Sequence, residues 1–258
     1  MKKVNRIWII TLFPELFVPF FQHGIGASAF RGERGRQFEI NLIQLRDFST
    51  SNYKGVDDTP YGGGPGMVIK ADVLESALFN GVVIPGGYDK NNIKNELEVI
   101  CPGPRGTKWD NLVSRSFSEN YWGINSEKDI VFICGRYEGI DERFIQMYVD
   151  QQFSLGDFIL TGGELAVMSI LDSAIRFVDG SLGNKSGVDN ESFEDNLLEH
   201  PQYTRPNQFH DLKVPDILLS GNHLKIKSYQ KDEKIRLTKK HRPDLLKLFK
   251  DTENGENS

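Results

Sequence analysis

An α/β fold built on a largely parallel sheet is predicted by three observations. Apolar runs of strand length recur along the chain, segments with helical spacing stand between and after them, and the loops that lead from strand to helix are rich in glycine or proline. The chain has 258 residues, enough for one main domain and a small second one.

The first run, "RIWIITLF" (6–13), follows basic residues, but Pro14 and Glu15 interrupt it and no small-residue cleavage site follows. It reads as a strand rather than a signal peptide. Further strands are expected at "FEINLIQL" (38–45), "LEVIC" (97–101), "DIVFIC" (129–134) and "DFILTG" (157–162). Between the last two, "IDERFIQMYV" places Ile140, Phe144 and Met147 on one helical face; after the last, "GELAVMSILDSAIRFV" does the same with Val167, Ile170, Ala174 and Val178. From Asp179 to Pro201 the text turns to Gly, Ser, Asn and acids, as a linker or lid does. Beyond it, a basic segment with helical spacing closes a small C-terminal module, and the last residues, "DTENGENS", are expected to fray.

Composition excludes several classes. No apolar run approaches the roughly 20 residues of a membrane-spanning helix, so no membrane partner is expected. The only cysteines, Cys101 and Cys134, share no metal or redox spacing; they read as small buried hydrophobes in a reduced, cytoplasmic setting. The five histidines lack ligand spacing, no Ser/His/Asp set is apparent, and no metal ligands are assigned. Net charge is −5, yet residues 223–250 carry ten basic against three acidic side chains. That segment is either a phosphate-tracking surface or a solvated helix face.

Three loops at expected strand ends, "CPGPRG" (101–106), "CGRYEG" (134–139) and "LTGGE" (160–164), are where an open α/β sheet binds its ligand. Glycines there permit positive φ and close backbone approach, though tight turning alone also explains them. "YGGGPGM" (61–67) lacks the Lys-Ser/Thr of a phosphate loop, and "GRYEG" is not the three-glycine dinucleotide turn. A ligand without phosphates, such as S-adenosylmethionine, suits such loops. Asp57 and Asp58 of "DDTP" read as turn formers, or as holders of a metal or a base edge.

Taken together, "RDF" (46–48), "DDTPYGGGPGM" (57–67), "CGRYEGIDER" (134–143), "SLGDFILTGGEL" (154–165), "DSAIRF" (172–177), "LLEHPQYTRP" (197–206) and "LLSGNH" (218–223) resemble the bacterial tRNA (guanine-N1)-methyltransferases of the SPOUT superfamily, in register from about Arg6 to Phe249. The resemblance implies a SPOUT-type α/β domain with a deep trefoil knot and a small helical C-terminal domain. It implies a homodimer with the active site at the interface, S-adenosylmethionine as cofactor, and tRNA as substrate, methylated at the guanine immediately 3′ of the anticodon. By that likeness, residues 1–182 form the cofactor-binding catalytic domain, 183–195 a flexible linker or lid, and 196–258 the tRNA-binding domain.

The cofactor would lie against Pro102, Gly103 and Pro104, then Gly135, Tyr137 and Glu138, then Leu155, Gly156, Asp157, Phe158, Ile159 and Leu160. Guanine N1 holds a proton, and its removal pushes charge onto O6, so the reaction needs a base and a cation. The matching cation is Arg176, which an i, i+4 pairing with Asp172 would otherwise explain. The family's base is an aspartate before "SF"; here Glu191 stands at that position, with Asp189 as the rival. Glutamate adds ~1.5 Å of reach, and misplacement by ~1 Å can cost on the order of a hundredfold in rate unless the backbone compensates. The family's "GGELP" is "GGELA" here, with Ala166 in place of a proline that would fix φ; the expected effect on the loop is small, and none falls on the chemistry. The sequence leaves open whether Mg2+ assists. Two other readings also stay open: a SPOUT methyltransferase acting on another RNA nucleotide, and a catalytically inactive RNA-binding relative.

Overall fold

The structure, a computed structural model, describes residues 4–50, 53, 55–182, 191–247 and 249. Strands form at four of the five expected runs: β1 (Asn5–Thr11), β2 (Phe38–Gln44), β5 (Leu97–Lys108) and β6 (Asp129–Ile133), with a small antiparallel pair, β3 (Asp57–Asp58) and β4 (Val68–Ile69), between them. The fifth run is a correction. Residues 157–162 are loop, and the last strand of the sheet is β7 (Gln151–Ser154), a few residues earlier. Phe158 and Ile159 are 56% and 83% exposed, so their apolar character does not mark a core strand.

The five strands run parallel in the order β2-β1-β6-β5-β7. Helices cover both faces, so a central strand is apolar on both sides. In β1, Ile7 and Ile9 pack into one core with Phe30, Phe117, Phe132 and Ile170, while Trp8 and Ile10 pack into the other with Leu74, Val131 and Phe144. The first core is closed by α1 (Phe17–Gln22), α2 (Ile25–Phe30), α6 (Asn111–Trp122) and α8 (Glu164–Ile175). The second is closed by α3 (Ala71–Ser76), which continues through a π-helical turn (Ala77–Val83) into α4 (Ile84–Gly86); the short α5 (Ile93–Glu96) then leads into β5, and α7 (Glu142–Tyr148) packs nearby.

Local chemistry sets the helix starts. Asp110 accepts from the Val113 amide at 3.0 Å before α6, and Asp141 accepts from the Arg143 amide at 3.0 Å before α7. On α7, Phe144 is buried as its spacing predicts, but Met147 is 59% exposed, so the apolar face is shorter than expected. At the amino-terminal end of the sheet, buried Asp129 accepts from Arg6 Nε at 2.9 Å and from the Tyr88 hydroxyl at 2.6 Å. This network lies at the pole opposite the glycine loops and ties β1 to β6.

The chain divides into two compact units, Met1–Gly183 and Asn184–Ser258. Of the expected linker, 183–190 lie outside the described residues. Residues 191–195 form turns of the second unit, where the Glu199 amide donates to Ser192 Oγ at 3.0 Å and Lys234 pairs with Asp195. That unit also holds the exposed pair β8 (Gln208–Phe209) and β9 (Leu212–Lys213), the short α9 (Asp216–Leu219) and the long α10 (His223–His241). Asn222 caps α10, accepting from the Lys225 amide at 3.2 Å, and Lys239, Lys240 and His241 stand in its last turn, where cations suit the helix dipole.

Candidate cofactor cleft

Three segments meet at the carboxyl ends of β5, β6 and β7. The first belongs to β5 itself: Pro102 and Thr107 both register with Phe153 of β7, so residues 103–106 bulge out between them. The expected loop is thus a bulge within a longer strand. Glycine is required at Gly106, because a Cβ there would stand 2.4 Å from the Gln152 carbonyl carbon. The second segment leaves β6 at Cys134 and carries Tyr137 at φ 59°, a strained position for a side chain of its size. The third runs from Leu155 to Gly163 and enters α8.

Backbone contacts bind the second and third segments together. The Gly163 amide donates to the Gly135 carbonyl at 2.8 Å, and Arg136 forms an isolated antiparallel bridge with Gly162. A Cβ on Gly163 would fall 2.9 Å from Cys134 Cα, so only glycine allows that approach. The β3–β4 turn closes on the second segment too, with the Glu138 amide donating to the Met67 carbonyl and the Ile69 amide to the Gly139 carbonyl. Gly66 lies so close to the Glu138 carboxylate that a Cβ would sit 2.3 Å from it.

These segments enclose a cleft of about 510 Å³, within the range of small-molecule sites. Its wall includes Pro102, Gly103, Pro104, Gly135, Tyr137, Glu138, Leu155, Gly156, Phe158, Ile159 and Leu160. Eleven of the twelve residues expected to touch a cofactor therefore converge, and Asp157 alone is off the wall. Phe158 and Ile159 are exposed because they face this cleft region rather than the core. Sequence reasoning missed Arg105, Arg136, Gln152, Phe153 and Thr161, which also line it; Arg136 stands inside the "CGRYEGIDER" motif, which carried the signal. Ala166 lies in the first turn of α8, lines the cleft and is 6% exposed, and the helix starts without the family's proline.

The walls suit a ligand read by backbone groups and apolar contact. Prolines, leucines and Ile159 supply apolar surface, and glycines bare their backbone N–H and C=O groups. The charged wall groups are Arg105, Arg136 and Glu138. Arg105 pairs with Glu142 at 2.6 Å, and Arg136 with Glu164 at 2.9 Å. Burial pushes the Cys101 thiol up to about 12, partly opposed by Arg105, and holds Cys134 well above the usual thiol range, helped by the Glu164 carboxylate. Neither thiol is a nucleophile here.

The two expected catalytic residues belong to different units of the chain. Arg176 caps the carboxyl end of α8, about 18 Å along the helix from Glu164, and does not line the cleft. Glu191 is half-buried in the second unit, and Asp189 lies outside the described residues. Asp57 and Asp58 form β3, paired with Ile69 and Val68 of β4, and Asp58 Oδ1 accepts from the Thr59 amide at 2.8 Å. Among the described residues, no group of three or more His, Cys, Asp and Glu side chains could hold a metal ion. No helix there is long and apolar enough to cross a membrane.

Fold and cleft together define an α/β protein with a small-molecule-sized cleft beyond the carboxyl ends of parallel strands and no phosphate loop there. The profile of the family described as tRNA (Guanine-1)-methyltransferase TrmD matches residues 5–248, and the chain belongs to that family. It is similar to the tRNA (guanine-N(1)-)-methyltransferase of Lactobacillus delbrueckii subsp. bulgaricus, 41% identical over 93% of this chain and 89% of the relative. The same-named proteins of Hahella chejuensis and Clostridium botulinum are 40% and 41% identical, over 95% and 96% of this chain and 88% and 94% of theirs.

Proposed function

We infer that this protein is a transferase that moves the methyl group of S-adenosylmethionine to N1 of the guanine immediately 3′ of the anticodon in tRNA. Methylation of guanine N1 in tRNA follows from membership of the family. The finer reading is carried by one observation: eleven expected cofactor residues, scattered over about 60 positions of sequence, line a single cleft.

S-adenosylmethionine, when bound, supplies an electrophilic methyl group. The glycine segments read its adenine through bare backbone groups, and Pro102, Leu155 and Leu160 exclude water. Glu191 takes the proton from guanine N1, and Arg176 donates to O6 as charge develops there. An ordinary glutamate, with a pKa of about 4.3, is a weak base, so burial in the closed site has to raise it. Asp189 is the other candidate base.

Arg176 stands far along α8 from the cleft of its own chain, and a homodimer resolves this if each site takes its Arg176 from the other copy. The half-exposed or exposed Tyr137, Phe158, Ile159 and Leu165 around the cleft support a covered surface of that kind. We further propose a trefoil knot. Its support is the path from edge strand β7 back across β5 to Gly163, which bonds to Gly135 beyond β6. Residues 1–182 serve as the catalytic domain and 196–258 as the tRNA-binding domain, joined by 183–195, in a cytoplasmic enzyme.

Mass-spectrometric base mapping tests this. The protein is incubated with S-adenosylmethionine and a tRNA transcript carrying G beside the anticodon, in parallel with Glu191→Gln and Asp189→Asn. Methyl at N1 of that guanine, reduced at least a hundredfold by Glu191→Gln alone, is the expected result. Methylation that survives Glu191→Gln discards Glu191 as the base. Methyl at another nucleotide, or none with the unaltered protein, overturns the assignment in favour of another RNA target or a binding role.

A further inference from the structure

Both cations on the cleft wall are paired with carboxylates that are not on the wall. Arg105 pairs with Glu142, and Arg136 with Glu164. Of the two, the Arg136–Glu164 pair is the buried one, with Arg136 19% and Glu164 1% exposed. Glu164 opens α8 beneath the cleft, where its Oε1 accepts from Thr11 Oγ1 at 2.8 Å. Arg136 stacks over Phe13 at 4.6 Å, and its Nη1 donates to the Thr161 carbonyl at 3.2 Å. Gly162 leaves room for the pair, since a Cβ there would be 2.2 Å from Arg136 Nε and 2.5 Å from Glu164 Oε2.

The contact between Arg136 Nη2 and Glu164 Oε2 is short but off the hydrogen-bond axis. By geometry, Arg136 Nε and Glu164 Oε2 have no hydrogen-bond partner among the described residues. Charge rather than bonding geometry joins them. A buried pair of this kind adds little net stability compared with apolar packing, but it sets the potential of the cleft above it. With Arg136 neutralised from behind, the acid on the wall is Glu138 and the cleft is open to a positive ligand.

We propose that Glu164 is a positioning and specificity residue that neutralises Arg136, so that the cleft accepts the cationic sulfonium of S-adenosylmethionine rather than favouring the neutral thioether of S-adenosylhomocysteine. This rests on the cleft being the cofactor site. Glu164 does not touch the cofactor. It acts through Arg136, and its influence falls on ligand charge more than on ligand shape.

Calorimetric titration with both ligands separates this role from a scaffolding one. In Glu164→Gln the guanidinium is left unbalanced, and S-adenosylmethionine should lose about tenfold more affinity than S-adenosylhomocysteine. In Arg136→Met the carboxylate is left unbalanced, and the preference should move the opposite way. Both ligands changing by the same factor, or the preference moving in one direction in both variants, overturns the proposal. If one variant fails to fold, the sign in the other still decides. Should the unaltered protein bind neither ligand, the cofactor reading falls as well; if it binds both and the variants leave their ratio unmoved, this inference alone falls.

Discussion

Cys101, on β5 and on the cleft wall, and Cys134, just past β6, are both buried and have no chemical part in the cleft. Their protonation nevertheless bears on stability. The folded protein keeps these protons through a range in which the unfolded chain, with thiols near 9.0, loses them. Below about pH 9 both states are protonated and nothing is lost. As pH rises from 9 toward about 12, stability falls by ~1.4 kcal/mol per pH unit on account of Cys101, and Cys134 acts in the same direction. Urea denaturation at pH 8, 9 and 10 should show that decline, and Cys101→Ala should reduce its slope by one proton's worth. An unchanged slope would mean that Cys101 titrates normally in the fold. The burial of both thiols was legible in their apolar runs. The strain at Tyr137 was not, because nothing in "GRYEG" says which residue takes positive φ.

At the scale of elements, α10 carries the basic segment. Lys225, Lys227, Lys239 and Lys240 are exposed, while Arg236 pairs with Glu233. If the helix tracks tRNA phosphates, reversing Lys239 and Lys240 to Glu weakens tRNA binding. It also makes log affinity less steep in log salt, by roughly one unit for each phosphate that the helix no longer neutralises. Filter binding across a salt series reads both, and an unchanged slope returns the helix to a solvated face. Strands β1, β6 and the first half of β5 were legible because strands covered on both faces are apolar along their length, and the edge strand β2 because Phe38, Ile40 and Leu42 alternate with polar residues. The edge strand β7 was not, since only Phe153 of "QQFS" is buried. "DFILTG" misled for the converse reason: a loop that faces a ligand cleft carries apolar residues without belonging to a core.

For the whole molecule, residues far apart in sequence come together only through parallel topology. The order β2-β1-β6-β5-β7 puts the ends of β5, β6 and β7 side by side, so three glycine-rich segments share one cleft. Spacing marked each segment as a strand-to-helix turn, but their common wall, and the arginines paired from behind it, needed the fold. Arg176 and Glu191 came from likeness to a family, and no spacing argument reaches them. The central claim is that this cleft holds S-adenosylmethionine. Ultraviolet crosslinking of the methyl-labelled cofactor, followed by peptide mapping, tests it most directly. Label confined to peptides covering 101–106, 134–140 and 154–163, and competed away by S-adenosylhomocysteine, is expected; label on other peptides, or none that competes, would contradict it.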